Sequence, residues 1–397
     1  MTTSLPELNF REQKVNNRYH FIYLLVVIFA TILLYNFTKN NLEMLVDSFY
    51  YLSTAEHIKN GDGFYYNLKN NPLPLTAFPP IYPLAISFPF DEIKDNAICL
   101  NMFLFAMNSL LIYYLIFKET NSQISAFISG IIYITSPTAT VMYTWVMSDT
   151  LFLFFTLLGM IFITKYLDNY NFKWLIFTAI TLSLITLTRY VGIVQIVVFS
   201  VFLLYKKTKI KHLISFTIVL LIPILLWAIR NTLLTGNPVK RTLVFHFNYA
   251  KLTELFLCIR NWILPIDLRL RYAIFFILIF LISYAILEVY YRKNKSSNTV
   301  SNTLYIFYIV LYLIGVFVAG STTDIFTSFD QRMMAPVFVL FLILFDSRLH
   351  FFFTTYPIKN YHKFGLLFFI ISSLIINGYN TSLFLGLFGE KHYFLFW

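Results

Sequence analysis

Two carboxylates and three arginines stand out in a chain that carries few charges. Asp47 opens the polar run Asp47-Ser48-Phe49-Tyr50-Tyr51, and Asp149 follows Ser148 directly ahead of an apolar helical pattern. Arg189 interrupts a long apolar stretch, Arg230 ends another, and Arg332 stands two residues after Asp330. Carboxylates at such positions can move protons, and guanidinium groups bind anions in a fork. Each residue also has a plainer reading. Asp47 and Asp149 fit helix N-caps, Arg189 fits an ion pair with Asp149 or Asp330, and Arg332 fits one with Asp330. Arg230 fits the C-terminal end of a helix, where a cation is favoured.

The elements that must position these residues lie in a membrane. The 397-residue chain is 58% hydrophobic and 12% charged, with a mean hydropathy of +0.69. A soluble protein carries roughly a quarter charged residues. Apolar runs near the roughly 20 residues that cross a bilayer recur along the whole length. The 45 Phe and 28 Tyr are read mainly as lipid-facing bulk, with some in interfacial belts. The first apolar run lacks a small-residue cleavage site after Phe37, so it reads as a retained helix. The two cysteines, Cys99 and Cys258, read as free thiols. A net charge of +11 does not mark a nucleic-acid binder, because the basic residues sit at helix ends and form no single patch.

The reading is an all-α, polytopic, single transmembrane domain of about eleven spans over residues 1–397. The spans are placed near 20–38, 97–117, 123–142, 150–167, 174–188, 190–205, 212–229, 272–291, 302–320, 333–349 and 364–379. The fifth and sixth form a tight hairpin with Arg189 at its tip. Basic residues crowd one side: Arg11, Lys14, Lys118, Lys173, the Lys206–Lys211 cluster, Arg292 and Lys293. That side is cytoplasmic by the positive-inside rule, together with the N-terminus. The two long loops, 39–96 and 230–271, then face outward, and charges are expected at span edges with almost none inside.

Within the first outer loop, Asp47, Tyr50, Tyr51, Thr54, Ala55 and Ile58 share one face of a helix of about three turns. Gly61-Asp62-Gly63 stops it. This predicts an amphipathic helix along the outer membrane face. Pro79-Pro80 is read as the start of a second, short helix. His57 and His246 read as isolated, solvated side chains, and no His, Cys and carboxylate cluster shows metal-ligand spacing.

Asp47-x-x-Tyr50-Tyr51, the Gly61-x-Gly63 turn and Phe78-Pro79-Pro80-x-Tyr82-Pro83 resemble the first outer loop of the GT-C membrane glycosyltransferases. The similarity is nearest to bacterial relatives of protein O-mannosyltransferase and of the lipid A aminoarabinose transferase. Ser148-Asp149, Thr188-Arg189-Tyr190-x-Gly192, Arg230-Asn231 with Gly236-Asn237-Pro238, and Asp330-x-Arg332 with Pro336 resemble later motifs of the same group, in the same order. Three departures are visible: Ser48 follows Asp47 where the eukaryotic enzymes have Glu, the chain ends soon after the last span, so no soluble outer domain is expected, and nothing in the C-terminal part identifies an acceptor.

The resemblance implies a multi-pass enzyme of the inner membrane that moves a sugar, with inversion, from a polyprenyl-phosphate donor to a glycan, lipid or protein acceptor at the outer face. It implies Asp47 as the base, although a free Asp titrates at about 3.9 and would take the proton late. Asp149 would orient the acceptor or bind a divalent cation, and the cofactor question stays open. Arg189, Arg230 and Arg332 would hold the donor phosphate. Tyr50, Tyr51 and Tyr82 would contact sugar or acceptor, or else anchor at the interface. Two other functions fit a polytopic chain: a transporter or lipid flippase, and a glycan polymerase or ligase using diphosphate-linked donors.

Overall fold

A computed structural model describes residues 17–69, 71–240, 244–245, 249–294, 300–322, 330–355 and 360–384. In hydrocarbon each backbone N–H and C=O must bond within its own segment, so apolar runs fold as helices. The helices, in chain order, are α1 (Asn17–Asn40), α2 (Val46–Lys59), α3 (Ile81–Ile86), α4 (Ile93–Thr120) and α5 (Gln123–Thr135). Next come α6 (Pro137–Tyr143), α7 (Asp149–Asn169), α8 (Phe172–Thr188), α9 (Gly192–Tyr205) and α10 (Ile210–Thr235). The last five are α11 (Tyr249–Ile263), α12 (Leu270–Asn294), α13 (Val300–Thr322), α14 (Gln331–Thr355) and α15 (Asn360–Phe384).

The stretches read as spans are helical, and seven or eight of them are candidate spans by length and composition. Among the described residues, seven helices are long and apolar enough to cross a membrane: α1, α4, α7, α10, α12, α13 and α14. An eighth arises if α5 and α6, bent by 53° at Ser136, count as one. α8 and α9 have 17 and 14 residues, which at 1.5 Å per residue fall short of about 30 Å of hydrocarbon. α15 is not among the seven; it carries Asn377 and Asn380, both buried.

The bundle grades from inside to outside. The apolar window of α7 is 72% buried, while that of α12 is 11% buried. α4, α7, α8 and α14 therefore form the interior, and α1, α10 and α12 face outward. Buried or half-buried charges lie near the ends of two of the expected spans. The Asp346 carboxylate accepts hydrogen bonds from Ser125 and Ser129 at 2.7 and 2.8 Å, and buried Arg348 pairs with Glu288 at 2.6 Å.

The first long loop is not purely helical. It contains a two-stranded antiparallel hairpin, β1 (Tyr65–Leu68) with β2 (Asn71–Pro74), between α2 and α3. Lys69, at φ 50°, turns it. α2 matches the predicted helix in place and length. Gly61 and Gly63, at φ 86° and 89°, take up the left-handed backbone that ends it. α3 begins after Pro80, as the Pro-Pro pair suggested.

Buried asparagines of α4 set the link between α6 and α7. Asn101 Nδ2 donates to the carbonyls of Tyr143 and Trp145 at 3.1 and 2.8 Å, and its Oδ1 accepts from Thr150 Oγ1 at 3.1 Å. Asn108 Nδ2 donates to the Tyr143 hydroxyl and the Thr150 carbonyl at 2.7 and 3.1 Å. These bonds fix the turn that presents Ser148 and Asp149. Gly192 tightens the α8–α9 link in the same way, because a Cβ there would lie 2.8 Å from the Thr186 backbone.

Gly192→Ala is therefore expected to destabilise the protein by about 1–3 kcal/mol through overpacking. Gly159→Ala, whose new methyl would meet Thr181 at an ordinary 3.7 Å, should stay close to the native value. Thermal unfolding of the detergent-solubilised chain checks both; equal effects would show that the close approach at Gly192 does not matter.

Candidate active site

The site is assembled from the starts of α2, α7 and α14 and from the α8–α9 link. Neither carboxylate is an N-cap. Leu45 occupies the cap position of α2, and the Ser48 hydroxyl takes the Leu45 N–H at 2.9 Å, so Asp47 is the second helical residue. Ser148 occupies the cap position of α7, so Asp149 is its first helical residue. Both acids still sit in the first turn, where the helix dipole favours a negative charge.

Asp149 uses one oxygen on Arg189. The two groups form an ion pair, with the Asp149 side chain 3% exposed. Arg189 ends α8, where a cation is favoured, and its carbonyl accepts the Gly192 N–H at 2.8 Å. The predicted hairpin with Arg189 at its tip is thus present, and so is its ion pair with Asp149. Burial alone would pull the pKa of this guanidinium down. The Asp149 carboxylate, followed by Tyr51, Asp47 and Asp330, more than reverses that, so it is held raised and charged. The other oxygen of Asp149, Oδ2, is buried without a hydrogen-bond partner.

Asp330 and Arg332 form the second pair, also as anticipated. Asp330 Oδ2 accepts from Arg332 Nε at 2.7 Å and from Nη2. The guanidinium lies over the Trp145 ring, 4.9 Å from its centre. Arg332 Nη1 is buried with no hydrogen-bond partner. Gln331, between the two, accepts at Oε1 from Thr138 and Trp262 at 3.0 and 2.8 Å, and so ties α6, α11 and α14 together.

The first loop is stitched to this group. Glu43 and Trp145 bridge through backbone, with the Glu43 N–H on the Thr144 carbonyl at 3.1 Å and the Val146 N–H on the Glu43 carbonyl at 3.2 Å. Ser48 Oγ donates to the Val146 carbonyl at 2.9 Å, and the Tyr51 and Ser148 hydroxyls bond at 3.1 Å. Burial and then Asp47 raise the Tyr51 pKa, so the phenol stays protonated. Tyr51 and Tyr82 are 2% and 0% exposed, with ring centres 4.9 Å apart. These two are core residues and not interfacial anchors. The Tyr82 hydroxyl is buried without a hydrogen-bond partner. Tyr50 is half-buried and packs on Phe78 and Tyr66.

Arg230 does not join the other two arginines. Its Nη1 donates to the Leu75 carbonyl at 2.7 Å and its Nη2 to the Phe64 carbonyl at 2.8 Å, while the group stacks over Trp227. It clamps the ends of the hairpin. The physical reason is local: the Phe64 carbonyl, which already accepts the Leu75 N–H at 2.9 Å, has a second lone pair, and a fork reaches it and the Leu75 carbonyl together. His57 is not isolated, since its Nδ1 meets Asp62 Oδ2 at 2.9 Å. His246 lies outside the described residues. Among the described residues no group of three His, Cys, Asp or Glu side chains is placed to hold a metal ion. A groove of about 760 Å³ lies on the face of α2 that carries Phe49, Leu52 and Glu56, away from Ser48 and Tyr51.

Sequence reasoning left out Trp145, Asp330 and Gln331 as site members. Asp330 was visible only as a neighbour of Arg332, and nothing about Trp145 distinguishes it from an interfacial aromatic.

Residues 79–227 match the model of the family described as dolichyl-phosphate-mannose-protein mannosyltransferase. No curated protein matches the chain. The chain shares its fold with ArnT from Cupriavidus metallidurans. Against the crystal structure of ArnT bound to undecaprenyl phosphate the TM-score is 0.57, at 13% sequence identity and 89% coverage of this chain. Against the apo structure the TM-score is 0.56, at the same identity and coverage. The chain spans 63% and 62% of the length of those two ArnT chains.

Removing one member of a buried pair strands the other, at a cost of about 3–5 kcal/mol. Arg189→Met and Asp149→Asn should each be strongly destabilising, and the double variant should lose clearly less than their sum. Unfolding measurements on the four proteins of the cycle would refute the pairing if the losses simply add.

Proposed function

We propose that this chain is an inverting GT-C glycosyltransferase that takes a sugar from a polyprenyl-phosphate donor at the outer face of the membrane. The carrying observation is convergence. Asp47, Asp149, Arg189, Asp330 and Arg332 come from four separate segments of the chain, and the electrostatics at Arg189 and Arg332 connect them at one end of the bundle. The family match over residues 79–227 and the ArnT-like fold support the same reading. The outward orientation is supported by the crowding of Lys and Arg at the opposite helix ends.

In this reading the acceptor hydroxyl attacks the anomeric carbon. The bond from that carbon to the phosphate oxygen breaks, and its electron pair leaves with the phosphate. The acceptor proton passes to Asp47. Arg332, with a buried unpartnered nitrogen, and Arg189 stabilise the charge that builds on the phosphate. Asp149 keeps Arg189 in place through one oxygen and offers the other to the acceptor. Tyr50, half-buried, is assigned to sugar contact, while Tyr51 and Tyr82 wall the carboxylates. Arg230 is assigned to holding the loop.

Asp47→Asn is expected to fold normally and to lose transfer by at least a hundredfold. The check is envelope glycan mass spectrometry of cells carrying either form, with a null strain as reference: the glycan missing from the null strain should also be missing with Asp47→Asn. Full restoration by the variant would remove Asp47 as the base, and identical glycans in all three strains would count against the enzyme.

A further inference from the structure

Asp330 does two separable things with its two oxygens. Oδ1 accepts the backbone N–H groups of Arg332 and Met333 at 3.1 and 3.0 Å, which is the capping pattern for the start of α14. Oδ2 holds the Nε and Nη2 edge of the Arg332 guanidinium. The flat face of that guanidinium rests on Trp145, and Trp145 is itself fixed by Asn101 and by the Glu43 bridge. An arginine has five N–H donors in a rigid fork. One edge is taken by Asp330 and one face by Trp145, which leaves Nη1 buried and unpartnered.

A guanidinium fixed on an edge and a face can turn in no direction. A long cationic side chain otherwise loses rotamer freedom when it is ordered, and that loss weakens whatever it binds. We infer that Asp330 is a positioning residue: it holds Arg332 against Trp145 so that Nη1 is pre-aimed at the phosphate of the lipid donor. This rests on the donor assignment made above. Asp330 touches neither sugar nor phosphate in this scheme and acts only through Arg332.

The two oxygens allow the roles to be separated. Asp330→Asn retains a carbonyl oxygen for the cap, and Asn caps as well as Asp. Its amide nitrogen cannot accept from Arg332, so the guanidinium is released. The experiment measures binding of farnesyl phosphate, a short polyprenyl monophosphate, to the full chain in detergent, with farnesol as the control lacking phosphate. Asp330→Asn, which strands the Arg332 charge, should unfold at a lower temperature than the native chain, bind farnesyl phosphate at least tenfold more weakly, and bind farnesol as the native chain does. Native affinity for farnesyl phosphate in that variant would overturn the positioning role and leave Asp330 a cap. A native chain that does not prefer farnesyl phosphate to farnesol would overturn the donor assignment and the positioning role together.

A second comparison covers the case in which Asp330→Asn fails to fold. Arg332→Gln removes the guanidinium and leaves the cap intact. Adding Asp330→Asn to Arg332→Gln introduces no stranded charge, and it should change farnesyl phosphate affinity less than twofold. A further tenfold loss in that background would show that Asp330 acts independently of Arg332, against the proposal.

Discussion

The buried pair between Asp149 and Arg189 governs how the rest of this end of the bundle is arranged. Taking two ions out of water costs several kcal/mol each, and their attraction repays it only when geometry and neighbours cooperate. Here the neighbours are helix ends. Asp149 lies in the first turn of α7 and Arg189 closes α8, so each charge sits at the dipole end that favours it. α7 and α8 are antiparallel neighbours, and these two ends meet only in one register. The pair therefore selects a register more than it adds stability. Once it is made, Ser148 is placed for Tyr51, and the α8–α9 turn is placed beside the first loop.

The first loop is consequently part of the bundle and not a flap on its surface. Its attachments come from several directions: Glu43 to the strand of backbone at Trp145, Ser48 to Val146, the Thr76 carbonyl to Tyr190, and the Phe64 and Leu75 carbonyls to Arg230. Three of the loop's own carbonyls, those of Phe64, Leu75 and Thr76, take side-chain donors from the bundle. Satisfying them with protein donors lets the loop be buried, and a buried loop holds Asp47 at a fixed place relative to Arg189. Sites on rigid supports keep the sub-ångström geometry that group transfer requires.

What the sequence could show followed from how local each signal is. The apolar runs predicted helices because hydrocarbon leaves no alternative, and every one of them is helical. α8 and α9 are apolar but short, which hydropathy does not show, because it reports composition and not length relative to the bilayer. The helix at Asp47–Lys59 was legible from its three-and-four spacing and its Gly stop. The caps were misread because Ser48 and Leu45 share the capping task, which depends on the side chain reaching back rather than on residue type at one position. The hairpin at Tyr65–Pro74 was missed, since its two prolines argued against strands. Arg230 shows the limit most clearly. An arginine at a helix end looks the same in sequence whether its fork meets a phosphate or two carbonyls, and only the folded hairpin supplies those carbonyls.

Charge balance separates the two arginines that remain. Asp47, Asp149 and Asp330 together outnumber Arg189 and Arg332, so a phosphate entering this end meets cations already neutralised by protein. It cannot win by charge alone. Arg189 is committed to Asp149 and is influenced by Asp47 and Asp330 as well, so displacing its partner would strand a buried carboxylate. Asp330 holds one edge of the Arg332 fork through two nitrogens and leaves Nη1 buried and unpartnered, while Asp149 meets Arg189 at Nη1. A phosphate oxygen can therefore add to Arg332 without removing Asp330, which costs no broken pair. In the proposed scheme the donor phosphate can therefore meet Arg332 with Asp330 still in place.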